Sequence, residues 1–229
     1  MDVNWNPEVS AKLPHLAICI EQINGITAKK EDEQLRQLKK LLYEEVKSKC
    51  SVEALKNDST VRAYRDFYWK LGIDPTKIRP AGEALVRRVL HGDMLPNIST
   101  VVDAYNMASL KTIVPISGFD CDCIAPPFQV RFARNGEVFA GIGMKAPISL
   151  TEKILVLADK KQVLCIYPYR DSDKTKITME TKNATIVGYG APGRSQNQLR
   201  EAVTAALSLI KQSSGGEIES IEVYQNSSL

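Results

Sequence analysis

Long apolar runs are missing from this sequence. Nowhere do its 229 residues approach the ~18–20 consecutive apolar residues that a membrane-spanning helix needs. The stretch Met1–Pro14 has neither the basic segment nor the apolar core of a secretion signal. Histidine is scarce, with only His15 and His91. Five cysteines (Cys19, Cys50, Cys121, Cys123 and Cys165) make an odd set without framework spacing, and Cys121-Asp122-Cys123 has no histidine near it in sequence. A disulfide scaffold and a zinc centre are therefore not expected, and neither is any other metal or cofactor. A large charge of one sign is lacking too. Thirty Lys+Arg against 27 Asp+Glu leave a net charge of +3, which does not by itself announce a nucleic-acid binder. These absences predict a cytoplasmic chain with reduced thiols and no membrane partner.

What is present is ordinary in bulk and uneven in detail. Apolar residues make up 44% and charged residues 25%, enough to bury a full core. Between Thr60 and Gly92, seven basic residues (Arg62, Arg65, Lys70, Lys77, Arg79, Arg87, Arg88) face three acidic ones (Asp66, Asp74, Glu83). That bias fits a basic patch or a solvated charged face. The same region carries the densest set of specific choices, from Val61 to Asp120.

Apolar periodicity divides the chain into elements. Leu16–Ile23 reads as a strand closed by Asn24-Gly25. Leu35, Leu38, Leu42 and Val46 mark a helix from Glu31 to about Cys50. Ser59 or Thr60 caps a helix to Leu71, where Gly72 stops it. A second helix spans Ala81–Leu90, with Glu83 and Arg87 in the favourable i,i+4 order of a surface pair. A third, Thr100–Leu110, is apolar nearly all round, which predicts burial. Its Asp103 and Asn106, one turn apart, would then brace backbone or line a pocket, since buried polar groups must find partners.

After Asp120 the period changes to that of strands. Phe128–Ala133 and Glu137–Gly141 flank Asn135-Gly136 as a hairpin signal. Ile154–Ala158 and Val163–Tyr167 form a second hairpin about Asp159-Lys160-Lys161. Strands are further expected at Lys176–Met179, Ala184–Tyr189 and Ile218–Tyr224, with a helix from Ser195 to Gln212. The sum is one α+β domain over residues 1–229, with a mixed or antiparallel, barrel- or sandwich-like sheet and helices packed around it. Its helical half is 30–112, its strand-rich half 113–193 and its closing helix 195–212.

Read in order, Arg65-Asp66-Phe67-Tyr68, Gly72-Ile-Asp-Pro75, Arg79-Pro80, Glu83-Ala84-Leu85 with Arg87-Arg88, Val101-Val-Asp103 with Asn106, and Phe119-Asp120 resemble the B3/B4 domain of the bacterial phenylalanyl-tRNA synthetase beta chain and its free-standing relatives. Tyr169-Arg170-Asp171-Ser172 with Thr175 resembles a second segment of that family, and the resemblance covers roughly Leu16 to Leu209. Ser117 stands where the synthetase domain carries a histidine in Pro-x-His-x-Phe-Asp. Its pocket glutamate has no clear counterpart near Val187-Gly188.

The resemblance implies an editing fold whose pocket hydrolyses the ester of a mischarged tRNA. It assigns Asn106, Ser117 and Asp171 to the chemistry. Asp103, Ser109, Tyr169, Arg170 and Thr175 fall to substrate binding, and Arg65, Arg79, Arg87 and Arg88 to the tRNA. The implied partners are tRNA or aminoacyl-tRNA, with a free amino acid as a second ligand. Three readings follow: a trans-acting deacylase, a binding module that kept the pocket without the chemistry, and an interaction protein. No Ser-His-Asp arrangement is visible, so a covalent serine mechanism is not expected.

Overall fold

A computed structural model describes residues 2–219 and 221–226. In chain order the elements are β1 (Val3–Trp5), α1 (Pro7–Lys12), β2 (Ala17–Asn24), α2 (Glu33–Lys49), α3 (Val52–Leu55), α4 (Ser59–Lys70), α5 (Ala81–Leu90) and α6 (Thr100–Thr112). Then come β3 (Ile116–Asp120), β4 (Phe128–Phe132), β5 (Val138–Phe139), β6 (Ile148–Ser149), β7 (Leu155–Ala158), β8 (Val163–Ile166) and β9 (Arg170–Asp171). The chain closes with β10 (Asn183–Tyr189), α7 (Gln196–Ser214), β11 (Glu217–Ile218) and β12 (Glu222–Gln225).

Two five-stranded sheets carry the fold. One runs β1-β4-β7-β8-β9, antiparallel except for the parallel β1–β4 pair. The other runs β11-β2-β10-β3, with β12 also on β2, and is antiparallel throughout. Neither closes into a barrel among the described residues. The apolar alternation of β2 explains the layering. Ala17, Cys19 and Ile23 join the core against α6 and α7, while Leu16, Ile18 and Ile20 face a second core shared with β4, β7 and β8. A strand apolar on both faces belongs between two layers.

Helix caps follow the sequence chemistry. Asp32 and Ser99 accept from the first-turn amides of α2 and α6. Helix α4 is capped by Asp58 and not by the expected Ser59 or Thr60, because the Asp58 carboxylate takes the Thr60 and Val61 amides and leaves both hydroxyl residues inside the first turn. Gly72, with φ of +73°, follows the end of α4.

Three strand expectations fail. Phe128–Ala133 and Glu137–Gly141 do not pair. Gly136 does turn the chain, with the Glu137 amide on the Arg134 carbonyl. Both edges of β4, however, are already taken by β1 and β7, so β5 pairs with β6 instead. Lys176–Met179 makes a single bridge to Phe119 and then turns, as the Thr181 hydroxyl bonds Asp120 and receives the Thr178 amide. Ile218–Tyr224 splits into β11 and β12, which pair with different stretches of β2; Ser220 between them lies outside the described residues. The hairpin of β7 and β8 forms as expected, its turn held by the Asp159 carboxylate on the amides of Lys161 and Gln162.

Candidate active site

The strands β3 and β9 each end a sheet, and their side chains meet. Ser117 on β3 donates its hydroxyl proton to Asp171 on β9 at 2.6 Å. This contact, between residues 54 positions apart, ties the two sheets together. Above it lies an open cavity of about 270 Å³ whose floor includes Ser117 and Gly118 and whose wall includes Val102, Tyr105 and Asn106 of α6. Ile142, Tyr169, Asp171 and Lys176 complete its polar and apolar sides.

Asp171 sits in a setting that disfavours its charge. Burial pushes its pKa up to about 6, outweighing the hydrogen bond from Ser117, the neighbouring Cys165 thiol and the Arg170 charge, which all act the other way. Cys165 is its cross-strand partner on β8, and burial drives that thiol far up as well. It is an inert neighbour rather than a nucleophile. The buried Tyr189 hydroxyl lies near Cys165 and Ser117 without a hydrogen-bond partner among the described residues.

Asn106 presents its side-chain amide to the cavity and has no hydrogen-bond partner among the described residues. A carboxyl poised near neutrality, a hydroxyl on it and an uncommitted amide are the parts needed to hold and deprotonate a water beside a carbonyl.

Asp103 does not join this group. Helical geometry separates it from Asn106: Val102, Tyr105 and Asn106 share the face turned to the cavity, while Asp103 shares the face of Met107 and Leu110, which packs among α2 and α5. There it is buried against Lys39, 2.9 Å from its Nζ, and accepts the Ile98 amide. Ser109 is likewise structural, its hydroxyl bonding the Val114 carbonyl where the chain leaves α6. Thr175 is fully buried outside the cavity lining. Arg170 is exposed and turns its guanidinium to the Ile142 carbonyl, so of the second segment only Tyr169 and Asp171 face the cavity.

The four arginines also divide. Arg65 grips Glu83 through two hydrogen bonds of 2.8 and 2.6 Å, and Arg87 adds a third of 2.7 Å. Glu83 is fully buried, so the expected surface pair is a buried triad. Burial alone would raise its pKa, yet the hydrogen bonds and charges of both arginines hold it below the usual glutamate range. Arg88 donates to the Met94 carbonyl. Arg79 is exposed and, with Arg87, Arg88 and His91, borders a shallow basic depression on α5. It lies two residues before Ala81, which lines the cavity.

The resemblance also implied a pocket beside the Asn106 helix and the Ser117-Gly118 loop, and Gly118 does line the cavity, whereas Tyr105, Ile142 and Lys176 were missed. Gly118 had a readable signal, a glycine inside an apolar strand, which often marks a close approach. A Cβ there would meet Tyr105 Cε1 at 2.8 Å and Ile177 Cγ1 at 3.2 Å. Gly118→Ala is expected to push the Tyr105 ring and cost about 1–3 kcal/mol in urea unfolding; an unchanged midpoint and slope would show the contact to be soft.

A family model described as B3/4 domain matches residues 63–215, about two thirds of the chain. The phenylalanine–tRNA ligase beta subunit of Haemophilus ducreyi is 27% identical over 149 residues, covering 55% of this chain and 18% of that protein. The corresponding subunit of Neisseria meningitidis serogroup B is 31% identical over 90 residues, 39% of this chain and 11% of that protein. The chain thus spans less than a fifth of these relatives. An N-terminal fragment of the phenylalanyl-tRNA synthetase beta subunit from Pyrococcus horikoshii has a similar fold, with a TM-score of 0.50 and 17% identity over 95% of this chain and 50% of that one. Among the described residues no helix is long and apolar enough to cross a membrane, all five cysteines are free, and no cluster of potential metal ligands occurs.

Proposed function

The chain belongs to the B3/4 domain family, and from that premise we propose that it hydrolyses the ester bond of a mischarged aminoacyl-tRNA in trans, in the cavity between β3, β9 and α6. One observation carries the reading: a half-buried carboxyl with its pKa pushed up to about 6 holds a hydroxyl at 2.6 Å on the floor of an open cavity. Phenylalanine–tRNA ligase relatives supply the substrate class, since their name ties them to a charged tRNA.

The chemistry follows from the geometry. Water bound beside Ser117 passes a proton to the serine oxygen as the serine proton moves to Asp171. The resulting hydroxide adds to the ester carbonyl, and the alcohol of the tRNA terminus leaves with a proton. The Asn106 amide donates to the oxyanion as it forms, a role worth about 10²–10³ in rate when one such donor is removed. Arg79 and Arg88, exposed on the depression along α5, hold the phosphates. Arg65 is committed to Glu83 through two of its nitrogens, whereas Arg87 bonds Glu83 only through Nε and keeps its other donors at the depression.

The test is a panel of mischarged tRNAs incubated with purified protein. Hydrolysis of at least one is expected, and Asn106→Ala should slow it by about 10²–10³-fold. No hydrolysis across the panel sinks the enzyme reading. Stabilisation by an amino acid without turnover would instead identify a binding module, since a ligand bound only to the folded state raises its stability by mass action.

A further inference from the structure

We propose that Ile142 is the size gate of this cavity and that Arg170 is the positioning residue that holds it in place. The choice of substrate by such a gate rests on the hydrolase reading, whereas access to the cavity does not depend on it.

Ile142 combines two properties. It lines the cavity and it is 41% exposed, so it stands at the rim rather than on the floor. Ile98 has the same two properties, at 48% exposed. The rim therefore carries two apolar side chains beside the exposed Lys176, whose ammonium is paired with Asp173, while the floor behind it carries Ser117 and Asp171. A group passing over Ile98 and Ile142 must shed its water there, which favours apolar side chains over hydrated ones on that side of the rim. How wide a group can pass is set by where Ile142 stands.

That position is fixed by the strand bearing Asp171. The Ile142 amide donates to the Asp171 carbonyl at 2.9 Å, and the Ile142 carbonyl accepts Arg170 Nη1 at 2.9 Å. Both backbone groups of the gate residue are thus bonded to β9. Gly141 pairs with Ser172 in an isolated bridge, and the Asp173 amide donates to the Ala140 carbonyl. The Arg170 stem lies flat on Gly141, so that a Cβ there would sit 2.6 Å from Arg170 Cγ. An aliphatic stem covering a glycine while the guanidinium pins the next carbonyl is a clamp on one loop. This accounts for an exposed arginine that does not line the cavity beside it.

Thiol labelling tests the gate without any natural substrate. Ser117→Cys and, as an independent reporter, Asn106→Cys are placed singly in the full chain. Each is treated with methyl, propyl and benzyl methanethiosulfonates, and the labelled peptides are followed by mass spectrometry. The thiolate attacks the sulfenyl sulfur, forming a mixed disulfide and releasing methanesulfinate. The ratio of methyl to benzyl rates cancels the thiol's own pKa, and the exposed Cys123 supplies the ungated ratio. The methyl reagent is expected to win by about tenfold more at the reporters than at Cys123, equivalent to ~1.4 kcal/mol of barrier.

Ile142→Ala should bring the reporter ratio close to that of Cys123, and Ile142→Trp should widen it. Arg170→Ala should behave like Ile142→Ala, and Arg170→Lys, which keeps a donor for the carbonyl, should restore selectivity. A general loosening of the fold would instead raise all rates together, including that of partly buried Cys50. A ratio that none of these variants moves overturns the gate. An inactive tRNA panel beside a ratio that follows residue 142 overturns only the hydrolase reading.

Discussion

Asp171→Asn is expected to abolish ester hydrolysis, by about 10²–10⁴-fold, while making the protein harder to unfold at pH 7.5. Both effects come from one carboxyl. In the folded chain burial raises its pKa from 3.8 to about 6. A raised carboxyl binds its proton more tightly when folded, so the ionisation that is free in the unfolded chain costs stability in the native one. The penalty accrues as pH climbs from about 4 to 6 and is complete above that. Asparagine removes the charge but can still accept from Ser117, so the variant should gain up to about 2 kcal/mol at pH 7.5 and nothing near pH 3.5. Hydrolysis by the parent chain should rise with pH through about 6 as the base is freed. Urea unfolding at both pH values, with a pH–rate profile, checks the set. An active Asp171→Asn protein would remove Asp171 from the chemistry.

Glu83→Ala should show the opposite sign. Glu83 has no exposed surface and satisfies two arginines at once. Deleting one member of a buried ion network leaves the others uncompensated and costs about 3–5 kcal/mol. For a chain of this size that corresponds to a fall in Tm of roughly 10 °C. Its carboxyl is held below the ordinary range, so its contribution is full above the unfolded glutamate pKa of about 4.3 and is lost as pH falls through the folded value. The stability gap between the parent and Glu83→Gln should therefore close in acid. Arg65→Ala and Arg87→Ala, which share Glu83 Oε1, should be non-additive in a double-mutant cycle. A gap that stays constant below pH 4 would show that the carboxylate is not what the arginines bind.

The two carboxyls illustrate how environment divides labour within one chain. Glu83, with guanidinium partners, is locked in its charged form and holds helices together. Asp171, with a hydroxyl and a thiol for company, is left near neutrality, where proton transfer is useful.

Much of the helical layer was legible from residue order. The spacing of apolar residues gave α5 its observed limits, and Gly72 and the Leu35–Val46 stripe marked an end and a buried face of their helices. These are short-range effects, settled within a turn or two of chain. Motif order likewise brought Asn106, Ser117, Tyr169 and Asp171 into one candidate site, and all four line the same cavity.

What the sequence determined by itself was local: which segments are helix or strand, where they are capped, and which family they resemble. Tertiary structure decided the rest, because the deciding partners are far away in sequence. The edges of β4 were occupied by β1 and β7, so a good turn at Gly136 could not make its hairpin. Lys39, 64 residues from Asp103, compensates the burial of that carboxylate on the face of α6 turned from the cavity. Glu83 turned two surface arginines into core partners. A charged group goes wherever its burial is compensated, and only the assembled fold fixes where that is.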